Sequence, residues 1–223
     1  MERRSPGVTI PADGASLQGD LDGPLDPRGL VIFVHGSGSS RFSARNRYVA
    51  GVMREAGFAT LLADLLTPTE DALDRMTAAL RFDIPMLARR TRAMVEWTST
   101  RTHLAEIPVG LFGASTGAAA AIIAAAALPS RVGAVVSRGG RVDLASEALA
   151  DLEAPLLMLV GEHDEPVAAL HERVLPHLRC EHRYTVIPNA THLFEEPGAL
   201  ERVASLAAAW FDEKLARKRI GSS

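Results

Sequence analysis

The residues best suited to chemistry begin with a serine between two glycines, in the segment GASTG at positions 113–117. This G-x-S-x-G pattern follows a predicted strand that ends at Phe112 and precedes an alanine-rich helix. In that context a serine lies on a tight strand-to-helix turn, which exposes its hydroxyl above the edge of the sheet. The glycines remove Cβ atoms that would clash in so sharp a bend. We therefore interpret Ser115 as a nucleophile.

A serine hydroxyl needs a base that accepts its proton, and the base needs a carboxylate that orients it. Candidates for both roles follow later strands, because Asp164 ends the segment GEHD and His192 lies within ATHLF. Each of the three residues comes just after a predicted strand, so their side chains can meet at one edge of the sheet. The order Ser, Asp, His along the chain also differs from the two serine-protease orders. We expect Ser115, Asp164 and His192 to form a catalytic triad.

Two other acids remain alternatives to Asp164. Glu162 lies nearer the end of its strand, whereas Asp143 follows the preceding strand and resembles the N-cap of a short helix through Ala150. Loop position favours Asp164, and Asp64 is expected to close a loop by hydrogen bonding. Four further histidines are expected at the surface: His163, His171, His177 and His182.

Attack on an acyl carbon creates an oxyanion, which requires fixed N–H donors. One donor is the backbone N–H of Thr116 at the helix N-terminus, where the helix dipole favours negative charge. The second is expected from the loop HGSGSS at positions 35–40, and Ser37 is our choice of donor. A simple Gly/Ser turn and a phosphate cradle are the alternatives for this loop. It lacks both the Gly-Lys-Ser/Thr and the G-x-G-x-x-G fingerprints of nucleotide sites.

The elements that must position these residues alternate along the chain. Short β-branched or apolar runs are separated by helical patterns about a dozen residues long, which is typical of a mostly parallel sheet covered on both faces. The turn signal PADG lies between two short runs and indicates an antiparallel hairpin at one edge. The predicted strands are 8–10, 16–21, 30–34, 59–63, 108–112, 132–137, 156–160 and 183–187.

Three helices are predicted from the spacing of apolar residues. Positions 84–98 and 200–211 repeat apolar residues at intervals of three to four, which marks one helix face. The later helix has Pro197 near its first turn and is expected to run to the basic tail around Lys218. Residues 118–128 are apolar on all sides, as in a helix buried behind a sheet.

Composition restricts the remaining classes of function. The 223 residues are 47% hydrophobic and 23% charged, as expected of one domain spanning 1–223. A net charge of −3 and the lack of a Cys/His cluster argue against nucleic-acid binding, and we expect neither a metal nor a cofactor. No apolar run reaches bilayer length, and no apolar leader follows the first six residues. With Cys180 as the single cysteine, these features predict a cytoplasmic protein without membrane association.

Taken together, HGSGSS, GASTG, GEHD and ATHLF resemble the α/β-hydrolase superfamily, and in particular its dienelactone hydrolase-like branch. The strings SRGGR and HLFEEPG are similar to a subgroup often associated with phosphoribosyltransferases. The resemblance covers nearly the whole chain and implies an α/β-hydrolase fold with Ser115 as nucleophile, Asp164 as orienting acid and His192 as base. Dienelactone hydrolases carry a cysteine at the position of Ser115, whereas Cys180 lies far along this chain and is expected to be inert.

The segment that could cover the cleft is short, because only residues 138–154 separate the strand after the nucleophile helix from the strand that carries the acid. We expect a small cleft without a large lid. Arg138 and Arg41 are the candidate substrate contacts, since guanidinium groups bind carboxylate or phosphate in a bidentate manner. Most of the chain's many arginines are nonetheless expected to be solvated or paired with acids.

These residues predict a serine hydrolase that cleaves small carboxylic esters or lactones through an acyl-enzyme. Acyl transfer or thioester cleavage would use the same residues and differ only in the acceptor. A hypothesis from another class is a non-catalytic module that acts with a phosphoribosyltransferase partner. A homodimer is also left open.

Overall fold

The computed structural model describes residues 7–215, which contain an eight-stranded mixed sheet. The strands are β1 (Gly7–Ala12), β2 (Ala15–Asp22), β3 (Leu30–Val34), β4 (Ala59–Ala63), β5 (Val109–Ala114), β6 (Val132–Arg138), β7 (Leu156–Gly161) and β8 (His182–Ile187). Their spatial order is β1-β2-β4-β3-β5-β6-β7-β8. The pairs β1–β2 and β2–β4 are antiparallel, and all other neighbouring strands are parallel. The parallel strands place their carboxyl ends at one edge.

Helices cover both faces of this sheet. They are α1 (Ala44–Glu55), α2 (Pro68–Thr77), α3 (Ile84–Thr98), α4 (Thr116–Ala127), α5 (Glu165–Val174) and α6 (Ala199–Lys214). One apolar cluster joins the sheet to α1 and α6, and a second joins the opposite face to α3 and α4. Side chains of β3 alternate between the two clusters, with Phe33 on the α1 side and Ile32 on the α4 side. This alternation is why a central strand reads as a continuous apolar run.

The predicted fold class is confirmed, including the antiparallel edge hairpin and the buried alanine helix α4. The bounds of β3, β4 and α3 are as predicted, and the other predicted strands differ by one or two residues at one or both ends. Pro197 lies directly before the Gly198 N-cap of α6, near its first turn as predicted. The helix α6 ends at Lys214, and the predicted extension towards Lys218 lies outside the described residues.

The connection between β6 and β7 is short and contains no large lid, as predicted. Its regular structure is one short 3-10 helix, Val142–Ala148. Asp143 lies inside this helix, which has Arg141 at its N-cap, so the predicted N-cap at Asp143 is wrong by position. Residues that follow β5, β7 and β8 therefore lie at the same carboxyl edge of the sheet.

Candidate active site

Ser115 occupies the turn between β5 and α4 with φ of 50° and ψ of −123°. A positive φ at a residue with a Cβ costs on the order of 1–3 kcal/mol and persists only where surrounding contacts enforce it. A Cβ at Gly113 would lie 2.4 Å from Cα of Ala118, and a Cβ at Gly117 would lie 2.2 Å from the carbonyl oxygen of Val34. These distances confirm the predicted steric role of both glycines in the turn.

The segment after β6 holds the backbone of Ser115 on both sides. The N–H of Ser115 donates to the carbonyl oxygen of Arg138 at 3.1 Å, and the carbonyl of Ser115 accepts from the N–H of Arg141 at 3.0 Å. The same segment approaches His192, because a Cβ built at Gly139 would lie 3.4 Å from two atoms of its imidazole ring. Ser115 and His192 therefore flank one short stretch of backbone.

His192 and Asp164 are joined directly. Asp164 lies at the N-cap of α5, just after β7, and His192 lies in the loop after the neighbouring strand β8. Nδ1 of His192 donates to Oδ2 of Asp164 at 2.6 Å. The side chain of Asp164 is 8% exposed, whereas that of His192 is 40% exposed. With Nδ1 as donor, the neutral ring keeps its lone pair on Nε2.

The two alternative acids have other partners. Asp143 forms a bidentate ion pair with Arg141, with contacts of 2.9 and 2.8 Å. Glu162 accepts the backbone N–H of Asn189 at 2.7 Å. Of the three acids considered from the sequence, Asp164 is the one bonded to the candidate base.

The two predicted oxyanion donors lie side by side, in an arrangement that the sequence did not indicate. The backbone N–H of Ser37 donates to the side-chain Oγ1 of Thr116 at 2.9 Å. The backbone N–H of Thr116 is at the first position of α4, where no helical carbonyl can accept it. The loop and the helix N-terminus therefore meet at one hydroxyl group.

Buried His35 holds this loop in place through both nitrogens of its ring. Its Nε2 accepts the backbone N–H of Leu65 at 3.0 Å, and its Nδ1 donates to the carbonyl oxygen of Gly36 at 2.9 Å. Burial lowers the pKa of His35 and outweighs the hydrogen bond to Gly36 and the nearby acids, which act in the other direction. Because a protonated ring could not accept from Leu65, the neutral form is the one that fixes the loop.

Arg138 is a buried cation beside the serine. The residue is 9% exposed, and its Nη1 atom is buried with no hydrogen-bond partner among the described residues. Burial, and to a smaller extent the charge of Arg45, lowers the pKa of Arg138 to about 10. Arg45 itself forms an ion pair with Glu195 at 2.8 Å. Since a buried charge is costly without a partner, the Arg138 guanidinium is suited to an anionic ligand group.

The other arginine candidate has a structural partner. Arg41 forms an ion pair with Asp64 and lies 3.8 Å from Asp20. Asp64 also accepts the backbone N–H of Arg41 at 2.8 Å, which confirms its predicted role in closing a loop. Asp64 and Asp20 neutralise the charge of Arg41, so Arg41 is not part of the site that we propose.

The expectation of a surface position is wrong for His171, which is 0% exposed. Its Nε2 donates to the carbonyl oxygen of Gly140 at 2.8 Å, and its Nδ1 is buried without a hydrogen-bond partner among the described residues. A signal was present in the sequence, because His171 lies four residues after Val167 and three before Val174, both buried on one face of α5. The other three histidines of that group are exposed as predicted: His163, His177 and His182.

The sheet, its helical layers and the serine on the strained central turn together define an α/β-hydrolase. The dienelactone hydrolase family model matches residues 18–215, and the chain belongs to the dienelactone hydrolase family. This confirms the resemblance seen in the sequence motifs. Membership of this family supports a hydrolase function for the chain.

Two solved structures illustrate this relationship. A dienelactone hydrolase from Anabaena variabilis is 50% identical with a TM-score of 0.92, and the match covers 94% of this chain and 97% of that chain. The esterase domain of a Rhodothermus marinus protein is 19% identical with a TM-score of 0.73, and the match covers 94% and 99% of the two chains. The second comparison shows a shared fold.

Two curated relatives come from two strains of Mycobacterium tuberculosis and carry a phosphoribosyl transferase name. Each is 51% identical over 208 residues, which are 93% of this chain and 46% of the relative. The chain therefore spans about half the length of these relatives.

Two features typical of other functional classes are absent from the part of the chain that the structure describes. Within residues 7–215, every helix is too short or too polar to cross a membrane. Across the same residues, His, Cys, Asp and Glu side chains do not form a group of three or more that could hold a metal ion.

Proposed function

We propose that the protein is a serine hydrolase that cleaves small carboxylic esters or lactones through an acyl-enzyme. The observation that carries this proposal is the 2.6 Å hydrogen bond between Nδ1 of His192 and Oδ2 of Asp164. An imidazole oriented in this way offers Nε2 to a serine hydroxyl. The strained backbone of Ser115 and the membership of a hydrolase family support the same conclusion.

In the proposed acylation, Oγ of Ser115 attacks the carbonyl carbon while Nε2 of His192 accepts the hydroxyl proton. The carbonyl electron pair moves to oxygen, next to the N–H of Thr116 and the loop that contains Ser37. When the tetrahedral intermediate collapses, the bond to the alcohol breaks and the alcohol takes the proton from His192. Water then attacks the acyl carbon with His192 as base. The bond from that carbon to Oγ of Ser115 breaks, Oγ takes the proton from His192, and the carboxylic acid is released.

A serine nucleophile is consistent with the state of the one cysteine. Cys180 is half-buried and precedes β8, and burial raises the pKa of its thiol. A raised pKa disfavours the thiolate, which is the nucleophilic form of cysteine. Dienelactone hydrolases carry a cysteine nucleophile at the position of Ser115. The position of Cys180 does not suit it to take over that role.

We infer further that the substrate carries a carboxylate or another anionic group near the scissile bond. The guanidinium of Arg138 supports this inference, because its Nη1 has no hydrogen-bond partner among the described residues and the backbone carbonyl of Arg138 accepts the backbone N–H of Ser115. A charge-assisted contact of this kind is worth about 1.5–3 kcal/mol. Acyl transfer and thioester cleavage remain variants of the same mechanism with a different acceptor or leaving group.

The lengths of the relatives favour a second proposal about partners. The chain covers 46% of the length of a relative that is named for phosphoribosyl transfer. We therefore propose that this hydrolase acts beside a phosphoribosyltransferase domain or subunit. Co-purification of such an enzyme activity with the tagged chain from its own cells is the direct test. Purification of the hydrolase alone under mild conditions would count against a stable partner.

The catalytic proposal is tested with a fluorophosphonate probe and short-chain aryl esters. The parent chain should be labelled at Ser115, located by mass spectrometry, and should hydrolyse the esters. Ser115→Ala should remove labelling and lower turnover by several orders of magnitude, as expected when a nucleophile is lost. Thr191→Ala, on an exposed side chain near the base, is the matched control. Equal activity in the parent and Ser115→Ala would exclude the mechanism.

A further inference from the structure

The hydrogen bond that joins the loop at positions 35–40 to α4 has a defined donor and a defined acceptor. A backbone N–H can only donate, so Oγ1 of Thr116 is the acceptor of the 2.9 Å bond from Ser37. A hydroxyl that accepts still has its own hydrogen to donate. Among the hydrogen bonds of residues 7–215, none uses the hydroxyl hydrogen of Thr116. This uncommitted donor lies one residue from the proposed nucleophile, on a side chain that is 3% exposed.

The same bond changes how an oxyanion could be held. The N–H of Ser37 has one hydrogen, and Oγ1 of Thr116 occupies the place where an acceptor of that hydrogen must sit. An oxyanion can therefore reach this donor in two ways. It either displaces the hydroxyl, or it accepts from the hydroxyl, which continues to accept from Ser37.

Packing at the start of α4 favours the second arrangement. The helix is pressed against the end of β3, because a Cβ at Gly117 would lie 2.2 Å from the carbonyl oxygen of Val34 and 2.4 Å from that of His35. If the oxyanion displaced the hydroxyl, the N–H of Ser37 would pass to the oxyanion, and the hydroxyl of Thr116, a residue that is 3% exposed, would lose the N–H that it now accepts. A buried polar group that loses its partner is unfavourable. Retention keeps this bond and adds a second one to the oxyanion, so the hydroxyl is better retained than displaced.

We propose that the side-chain hydroxyl of Thr116 is a catalytic residue of the oxyanion hole, which donates to the developing oxyanion while it accepts from the N–H of Ser37. The inference rests on the serine mechanism proposed above. No proton is transferred in this step, because the hydroxyl hydrogen stays on Thr116 and only its hydrogen bond is formed. A chain from N–H to O–H to oxyanion strengthens each bond through polarisation. The donor acts on charge that exists only after attack, so it should raise kcat more than it lowers KM.

The experiment compares Thr116→Val, which keeps the shape of the side chain without the hydroxyl, with Thr116→Ser, which restores the hydroxyl. Removal of one oxyanion donor typically costs about 10²–10³ in kcat, and a loss of about ten- to a hundredfold is expected here because the backbone donors remain. Serine should recover most of that loss. The affinity for an aryl boronic acid, which forms a tetrahedral anionic adduct, should fall by a similar factor, while KM should change little.

Thr91→Val is the matched control. Thr91 is fully buried in α3, and its hydroxyl donates to the carbonyl oxygen of Leu87, far from the proposed hole in sequence. This change also removes one buried hydroxyl, but it should leave kcat and boronate affinity at the parent values. Should Thr116→Val fail to fold, Thr116→Ser and Thr116→Ala differ by a single hydroxyl and measure the same contribution.

Three outcomes distinguish a failure of the inference about Thr116 from a failure of the proposed serine mechanism. Increased activity in Thr116→Val would mean that the hydroxyl obstructs the N–H of Ser37, and unchanged activity would mean that it does not contact the oxyanion. Either result overturns the inference while labelling of Ser115 and the serine mechanism stand. Failure of Ser115→Ala to lower activity would instead overturn the proposed function itself.

Discussion

The imidazole of His171 donates from Nε2 to the carbonyl oxygen of Gly140 at 2.8 Å, and this bond links α5 to the segment that holds the proposed nucleophile. The helix α5 also carries Asp164 at its N-cap. Burial lowers the pKa of His171, and the opposing effects of the Gly140 carbonyl, Asp164 and Asp143 are smaller. The folded chain therefore holds a neutral ring at this position.

This buried histidine predicts a loss of stability in mild acid. The ring of the unfolded chain takes up a proton near its ordinary pKa of 6.5, whereas the folded chain resists protonation to lower pH. The contribution to stability is complete above that value and is lost as the pH falls towards the lowered pKa. Each such histidine should give a slope of about 1.4 kcal/mol per pH unit in this window, and His35 acts in the same direction.

The measurement is the free energy of unfolding in urea between pH 5 and 8, a range of about three units around the titration of histidine. His171→Gln keeps an N–H donor but does not titrate, so its slope below the ordinary histidine pKa should be smaller by about 1.4 kcal/mol per pH unit. Exposed His177→Gln is the control and should keep the parent slope. An unchanged slope in His171→Gln would show that this ring does not resist protonation.

Asp164→Asn should lower kcat by about three to four orders of magnitude, because a neutral amide no longer stabilises the imidazolium or holds the required tautomer. The rate of ester hydrolysis in the parent and in the variant checks this point. Glu162→Gln, two residues away on an exposed side chain, should stay within a few-fold of the parent. Comparable rates for Asp164→Asn and the parent would remove Asp164 from the mechanism.

Arg138→Gln should reduce kcat/KM for an ester that carries a free carboxylate by about ten- to a hundredfold, which corresponds to one charge-assisted contact. The effect on the methyl ester of the same compound should be much smaller, because that substrate has no charge to pair. Arg47→Gln, whose exposed side chain pairs with Asp20, provides the control for loss of one positive charge. A parallel loss on both substrates would show that Arg138 is structural.

Gly140→Ala should destabilise the chain and impair catalysis. A Cβ at this position would lie 2.0 Å from Oγ of Ser137 and 2.5 Å from Cβ of Ala118, so the segment must shift. Overpacking of this kind costs about 1–3 kcal/mol or more, and the shift should reach Ser115 through the backbone. Gly51→Ala in α1 is the control, since its Cβ would have no neighbour closer than 4.0 Å, and a helix gains about 0.5–1 kcal/mol. Urea unfolding and ester turnover measure both variants.

Local physics explains why much of this protein could be derived from its sequence. The bend at Ser115 needs small neighbours at Gly113 and Gly117, and both glycines stand within two residues of it. The apolar run of β3 and the helical repeat of α3 have their predicted bounds, because periodicity records which side chains are buried. The order of strands and helices along the chain likewise limited the fold to a parallel sheet with its site at the carboxyl edge.

Only the tertiary structure decided which side chains of the site pair with one another. Three acids followed the right strands, but only the geometry of the folded loops pairs Asp164 with His192 and places Asp143 on Arg141. In the same way, Arg41 forms an ion pair with an acid, whereas Nη1 of Arg138 has no hydrogen-bond partner within residues 7–215.

The pairing of Ser37 with Thr116 joins residues 79 positions apart. A hydrogen bond depends on distances of tenths of an ångström and on direction, and the packing of distant segments sets these quantities. Residue types and spacing along the chain therefore determined which groups were available, and the folded structure alone determined which of them meet.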